Sequence, residues 1–270
     1  LTVALGNPGL NNIQFVLHDS QVYVIEMNPR SSRTVPFLSK VTNIPMVDLA
    51  TRILYGAKLP ELGYDYGIYP EPDLVAVKAP VFSFTKLESV NTKLGPEMKS
   101  TGEVMGIDRS FGLAYAKSQL AAGQKLPLSG TVFISVRDED KEKIFQTAKV
   151  FYDLGFKIAA TRGTSAYLIS HGIGNEMVKK VREGRPHVVD MIKNGSIDLV
   201  INTTGNKKAV SESYPIRRSA LMFNIPYTTT TAGAFATAKA IKSLREGNLE
   251  VKTIQEYHAM AGSLKLSFNS

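Results

Sequence analysis

Apolar and polar side chains alternate along residues 12 to 28, NIQFVLHDSQVYVIEMN, in two runs separated by the turn-forming His18-Asp19-Ser20-Gln21. A period of two is the signature of strands, so this segment is predicted to be a β-hairpin. Ile13, Phe15 and Leu17 share one parity, Tyr23, Ile25 and Met27 share one on the second strand, and both sets are expected to face a core. Matching those faces sets Phe15 opposite Ile25, Leu17 opposite Tyr23 and Ile13 opposite Met27, with a three-residue loop at Asp19 to Gln21. The same register sets Gln14 opposite Glu26 on the other face, where Asn28 follows because strand side chains repeat every second residue.

Beyond the hairpin the period changes. IPMVDLATRILYG carries Met46, Ala50, Ile53 and Leu54 at helical spacing and closes on Gly56, which reads as a helix with a glycine stop. Prolines and glycines between Lys58 and Pro72 mark a connection. DLVAVKAPVFSF, 73 to 84, reads as an edge strand that tolerates Pro80, and LGPEMKSTGEVMG, 94 to 106, as an ordered loop with special backbone angles. Asp108 or Ser110 is placed to cap a helix running through Ala122 and ended by Gly123. QKLPLSG, 124 to 130, is the expected domain boundary.

From Gly130 the pattern becomes strand then helix, repeated. TVFISV (131 to 136), FKIAAT (156 to 161), IDLVINTT (197 to 204) and PYTTTT are strand-like; Lys141 to Leu154, a segment from Ala166, PIRRSALMFNI opening on Pro215, and 232 to 246 are helical. That alternation predicts an α/β domain with a parallel sheet covered by helices on both faces, and such sheets bind ligands at the carboxyl ends of their strands. Three parts follow: residues 1 to 56, a connecting region 57 to 126, and the α/β domain 127 to 270.

Composition narrows the field. Hydrophobic residues at 43% and charged residues at 21% fit a globular protein of one large or two ordinary domains. No window approaches a spanning apolar run and no leader pattern opens the chain, so no membrane association and a cytoplasmic location are expected. The absence of cysteine excludes disulfides, thiolate metal sites and cysteine nucleophiles. Leu1 at the start raises the expectation of a fragment or a processed chain. The net charge of +8 is spread among acids without long like-charge runs, which favours anionic small molecules or an acidic protein partner over nucleic acid.

The candidate chemistry has two centres. On the hairpin, Gln14, Glu26 and Asn28 gather oxygen ligands at one end, with Arg30 and Arg33 immediately beyond. Such oxygens suit a hard divalent cation, and arginine forks suit phosphate, so the set reads as a Mg-nucleotide phosphate site; a surface hairpin whose polar face meets water is the plainer reading. In the α/β domain, Ser135 to Lys141, Thr161 with Gly163 and Thr164, and Asn202 to Thr204 all fall at strand ends, with Lys207 and Lys208 beyond. Hydroxyls, helix-start N–H groups and lysines make an anion cradle, although any one Ser or Thr is as readily a helix cap.

The run VIEMNPRSSRTVPFLSK paired with NIQF resembles the end of an ATP-grasp domain, most closely the second such unit of the carbamoyl phosphate synthetase large subunit. LGPEMKSTGEVMG resembles the same family, and SVRDEDK, ATRGTS, REGRPH, NTT and PIRRSA resemble its methylglyoxal-synthase-like regulatory domain. The resemblance therefore covers nearly the whole chain in order. It implies that Gln14 and Glu26 contact ATP and metal (Mg²⁺ or Mn²⁺), that Asn28 is a further metal ligand, and that Arg30 and Arg33 lie by the transferred phosphoryl group. It implies that Lys141, Thr161, Thr164, Lys180, Asn202 and Thr204 hold a nucleotide monophosphate effector, UMP or IMP. It further implies an oligomeric ligase serving arginine and pyrimidine synthesis, fed with ammonia by a small glutamine amidotransferase subunit. The adenine pocket and glycine-rich phosphate loop of such a unit lie upstream of the hairpin, so this chain alone is not expected to turn over ATP. Signalling is expected to run through two packings of the 57 to 126 connector. Two departures stand out: Gly205-Asn206-Lys207 replaces an arginine-bearing turn, and Ala79 stands where ornithine-sensing relatives have an acid, which argues against an ornithine response.

Two rival readings remain at this level, a stand-alone effector-binding module and a methylglyoxal synthase. A lyase of that kind needs a carboxylate base in its phosphate pocket. REGRPHVVD offers Arg185 and His187 at that place, and Asp190 is expected a turn further on, facing solvent.

Overall fold

A computed structural model of the 270-residue chain describes residues 1–69, 71–84, 94, 97–205 and 207–260, and of residues 207–210 only the backbone. Asn206 thus lies outside the described residues. The chain forms two compact units, Leu1–Asp73 with the described part of Lys252–Ser270, and Leu74–Val251.

The first unit opens with a short helix α1 (Thr2–Leu5) and the antiparallel hairpin β1 (Asn12–His18) and β2 (Gln21–Asn28). Gln14 pairs with Glu26 and Ile13 with Met27, as the parity requires, but the register slips one residue further out. Phe15 faces Val24, Leu17 faces Val22, and His18 faces Gln21. The turn is the reason. Asp19 and Ser20 both take left-handed φ values of 46° and 61°, making the two-residue turn whose twist matches that of strands. Closing that turn on His18 and Gln21 leaves Ile25 without a partner between Glu26 and Val24, a one-residue bulge. The expected core face is also corrected: Phe15, Leu17 and Ile25 are 56%, 73% and 60% exposed. Parity shows which side chains share a face, not whether anything covers it.

After the hairpin come α2 (Thr34–Thr42) and α3 (Met46–Leu54). Val35, Leu49 and Ala50 are buried, and the chain leaves α3 through Gly56 at φ 102°. A closing helix, Ile254–Met260, belongs to this unit, buries Tyr257, and donates from His258 Nε2 to the Lys40 carbonyl at 2.6 Å.

The second unit begins with the antiparallel pair β3 (Val75–Val81) and β4 (Gly102–Asp108). In a two-stranded sheet both strands are edges, so Pro80 in β3 is tolerated. β4 occupies the end of a run expected to be loop. Helix α4 (Phe111–Ala121) starts as predicted, with Ser110 Oγ accepting from the Leu113 N–H at 3.1 Å. Its buried positions are all small, Gly112, Ala114, Ala116 and Ser118. They let it approach two neighbours at once: a Cβ on Gly106 of β4 would lie 2.0 Å from the Ala114 carbonyl, and one on Gly112 2.1 Å from Ser243 Oγ. The sequence boundary at 126/127 therefore falls inside this unit.

The main sheet follows as β5 (Thr131–Ser135), α5 (Lys141–Asp153), β6 (Lys157–Thr161), α6 (Arg162–Ser170), β7 (Glu176–Val178), α7 (Val188–Lys193), β8 (Leu199–Asn202), α8 (Lys207–Met222), β9 (Tyr227–Thr228) and α9 (Thr231–Glu246). All pairings are parallel in the order β7-β6-β5-β8-β9, as the predicted α/β class requires. Alternate residues feed two cores. Val132, Ile134, Ile158 and Ile201 pack with Ile144 and Phe151 of α5 and Ile241 of α9, while Phe133, Ala159 and Val200 pack with Ile192 of α7 and Ile216 of α8. From β5 the chain winds out to β6 and β7, then returns to β8 and winds the other way, so its switch point lies between β5 and β8. Two helix starts differ from expectation. α6 begins at Arg162, four residues early, and α8 carries Pro215 inside instead of opening on it.

Candidate functional site

At the switch point a cavity of about 320 Å³ opens at the carboxyl ends of β5 and β8. Ser135, Val136 and Arg137 form one side, Asn202, Thr203 and Thr204 the other, and Lys180 to Glu183 with Glu212, Ser213 and Ile216 of α8 complete it. Three of the six predicted effector residues, Lys180, Asn202 and Thr204, line it.

Thr161 and Thr164 stand directly behind the wall. Thr161 Oγ1 donates to Ser135 Oγ at 3.2 Å, and Thr164 Oγ1 accepts from the Val136 N–H at 3.3 Å. Both are buried, and they fix the end of β5 instead of lining the cavity. Because its hydroxyl is turned to Ser135, Thr161 makes no side-chain cap to α6, whose first-turn N–H groups lack a side-chain acceptor from it. Lys141, at the start of α5, faces that turn. A Cβ on Gly163 would fall 3.4 Å from its Nζ, so a glycine leaves the ammonium room.

Asn202 binds inward through one atom of its amide and leaves the other buried and unpartnered among the described residues. Its Nδ2 donates to the Ser135 carbonyl at 3.3 Å, while its Oδ1 is buried with no partner among the described residues. A buried acceptor left without a donor is costly.

The rim is densely charged. Arg137 Nε donates to Asp140 Oδ2 at 2.7 Å and its backbone N–H donates to Thr203 Oγ1 at 3.2 Å. The Arg137 guanidinium, with the Thr203 hydroxyl, holds the Asp140 carboxyl below its ordinary range. Lys141 Nζ pairs with Asp138 Oδ1 at 2.7 Å and, with Lys180, holds the Asp138 carboxyl low in the same way. Arg182 and Glu212 pair across the cavity at 3.3 Å. These last two, with Ser213, were not legible in the chain: they come from a short turn (Val181–Glu183) and from α8, which meet only in the folded state.

A larger cavity of about 660 Å³ in the same unit takes Ala79, the stacked Phe82 and Phe84, Tyr115, Arg217 and Tyr227. No carboxylate lines it among the described residues. Asp190, expected to face solvent, is instead four-fifths covered: its Oδ2 accepts from the His187 N–H at 3.0 Å at the start of α7. A carboxylate spent on capping a helix is tied to that helix, and Asp190 does not reach the cavity.

In the first unit Gln14 and Glu26 are cross-strand partners, and Asn28 Nδ2 donates to Glu26 Oε1 at 3.0 Å. One carboxylate and two carboxamides therefore share one strand face, a donor set that fits a hard divalent cation taking the rest of its shell from phosphates. Arg30 Nη1 donates to the Ser31 carbonyl at 3.0 Å, and Arg33 stands at the start of α2.

A family model described as the carbamoyl-phosphate synthase L chain ATP binding domain matches residues 1–62, and one described as the MGS-like domain matches residues 143–229. The carbamoyl phosphate synthase large chain of Rhizobium meliloti (strain 1021) is 50% identical over 260 residues, 95% of this chain. The chain belongs to the carbamoyl phosphate synthase large-chain family. The large chain of Archaeoglobus fulgidus is 51% identical over 259 residues, 96% of this chain. A protein of Methanopyrus kandleri named as the C-terminal section of the large chain is 51% identical over 256 residues, 93% of this chain. This chain spans 22%, 24% and 47% of those three relatives. The first match takes in Gln14, Glu26, Asn28, Arg30 and Arg33; the second takes in Thr161, Thr164, Lys180, Asn202 and Thr204, with Lys141 two residues before it.

Proposed function

We propose that this chain contributes to a carbamoyl phosphate synthase large chain in two ways, as the metal and phosphate side of one ATP site and as an effector pocket. The cavity between β5 and β8 carries the second role. It sits at the topological switch point, has lysine and arginine on its rim, and is lined by Asn202, whose buried Oδ1 has no donor among the described residues. That combination fits a ligand with an anionic group and hydroxyl or N–H donors, as a nucleoside monophosphate such as UMP or IMP has. For the ornithine-sensing alternative, no carboxylate lines the larger cavity beside Ala79 among the described residues.

In the first unit, Gln14, Glu26 and Asn28 would hold Mg²⁺ or Mn²⁺ against ATP, and Arg30 and Arg33 would orient and neutralise the phosphoryl group moving to carbamate. Held by those three side chains, such a cation would supply charge neutralisation at the phosphates. The protein's own contribution is positioning, with no covalent residue. The complete ligase would draw ammonia from glutamine through a small amidotransferase subunit, act as a cytoplasmic oligomer, and supply arginine and pyrimidine synthesis. The isolated chain would not turn over ATP.

A methylglyoxal-forming activity finds less support. The carboxylates at the cavity are engaged, Glu183 by the Lys180 N–H at 2.9 Å and Glu212 by Arg182. The test is calorimetric titration with UMP, IMP and ornithine, repeated on Lys141→Ala. Saturable nucleotide binding lost in the variant is the expected result; no nucleotide binding by the unaltered chain overturns the effector assignment.

A further inference from the structure

The acidic turn Asp138–Asp140 pairs with Arg137, which lines the cavity, and with Lys141, a proposed effector residue that stands outside the lining, and its three carboxylates differ in what they do. Asp140 is 4% exposed and locked to Arg137, so it belongs to the framework. Glu139 meets the outer edge of Arg137 at 3.3 Å from an exposed position. Asp138 is different. Its side chain is 93% exposed, yet its carboxylate pairs at 2.7 Å with Lys141, whose side chain is only 20% exposed.

That ammonium is held where an anion is favoured. Lys141 Nζ stands beside Gly163 in the uncapped first turn of α6, a nine-residue helix whose amino end carries positive partial charge. Lys180 adds a second positive charge that Asp138 feels. The carboxylate meeting these groups is tethered by an exposed turn with no other side-chain bond to hold it inward among the described residues.

We propose that Asp138 is a built-in anion mimic, its carboxylate occupying Lys141 until the phosphate of an effector takes its place. This rests on the effector-pocket reading and adds to it a specificity-determining residue that sets how much phosphate is needed. Binding exchanges one ion pair for another and frees Asp138 to water. Because the pair being broken is an exposed one, its removal strengthens ligand binding by about two- to fivefold, the range that exposed ion pairs allow.

The experiment is calorimetric titration of the whole chain with UMP and with inorganic phosphate, on the unaltered protein, Asp138→Asn, Lys141→Ala and Asp153→Asn. The last removes the same charge from the far end of α5, where Asp153 pairs with Lys149. Circular dichroism melting checks that each variant folds. The expected result is binding tightened about two- to fivefold in Asp138→Asn, unchanged in Asp153→Asn, and lost in Lys141→Ala. Binding that is unchanged or weaker in Asp138→Asn, with the unaltered chain still binding and Lys141→Ala not, overturns the mimic and leaves the pocket standing. Equal tightening in both aspartate variants also overturns it, since net charge alone would then be at work. Binding by none of the four proteins overturns the pocket, and the mimic with it.

Discussion

The hairpin and the parallel sheet are built from similarly apolar strands, yet one is open to solvent and the other is sealed. Phe133 in β5 is fully buried, whereas Phe15 in β1 is more than half exposed. The difference lies in what lies over the strands. β5 has a helix layer on each face, so both parities of its side chains find a core. β1 and β2 form a two-stranded ribbon with no such layers among the described residues of their unit, and neither parity is buried there. Burial is thus a property of topology, and strand pattern alone does not confer it.

The sharpest way to press this contrast is to remove an aromatic ring from each region. Phe151→Ala in α5 empties a fully buried site packed edge-on to Phe156 and should cost about 3–5 kcal/mol, read as a lower urea midpoint by circular dichroism. Asp140→Asn attacks the polar framework of the sheet's carboxyl end and should cost about 1–3 kcal/mol at neutral pH, as expected for a charged hydrogen-bonding partner. Its pH dependence has a definite sign. Arg137 holds the folded Asp140 carboxyl below the value it has unfolded, so the unfolded chain binds the extra proton on acidification. The contribution is complete above the ordinary carboxylate range and is lost as pH falls through the folded value. Melting temperatures of Asp140→Asn should therefore fall less steeply on acidification than those of the unaltered chain. Phe15→Ala should change stability by about 0.5 kcal/mol or less in the same urea experiment. A loss comparable to that of Phe151→Ala would show that the hairpin face is covered.

Much of this architecture was legible because its signals are local. The parallel class followed from strand and helix alternation, and the polar residues at strand ends, where such sheets bind ligands, were visible as candidates. Gln14 opposite Glu26 was legible from parity. The bulge at Ile25 was not, because it arises from a conflict between two registers, one set by the faces and one by the turn at Asp19 and Ser20. Pro215 misled because a proline ordinarily marks a helix start, and α8 carries it in its interior. The three-residue β7 is too short to show a period. Arg182 and Glu212 were hidden for a different reason: they meet across thirty residues of sequence, and no spacing rule joins them.

Helix α4 has a consequence of a mechanical kind. With Gly106 pressed on one side of it and Ser243 on the other, there is no slack in which it could slide against one neighbour without carrying the second along. Within the stretch that reads as a connector, α4 is therefore a rivet between β4 and α9.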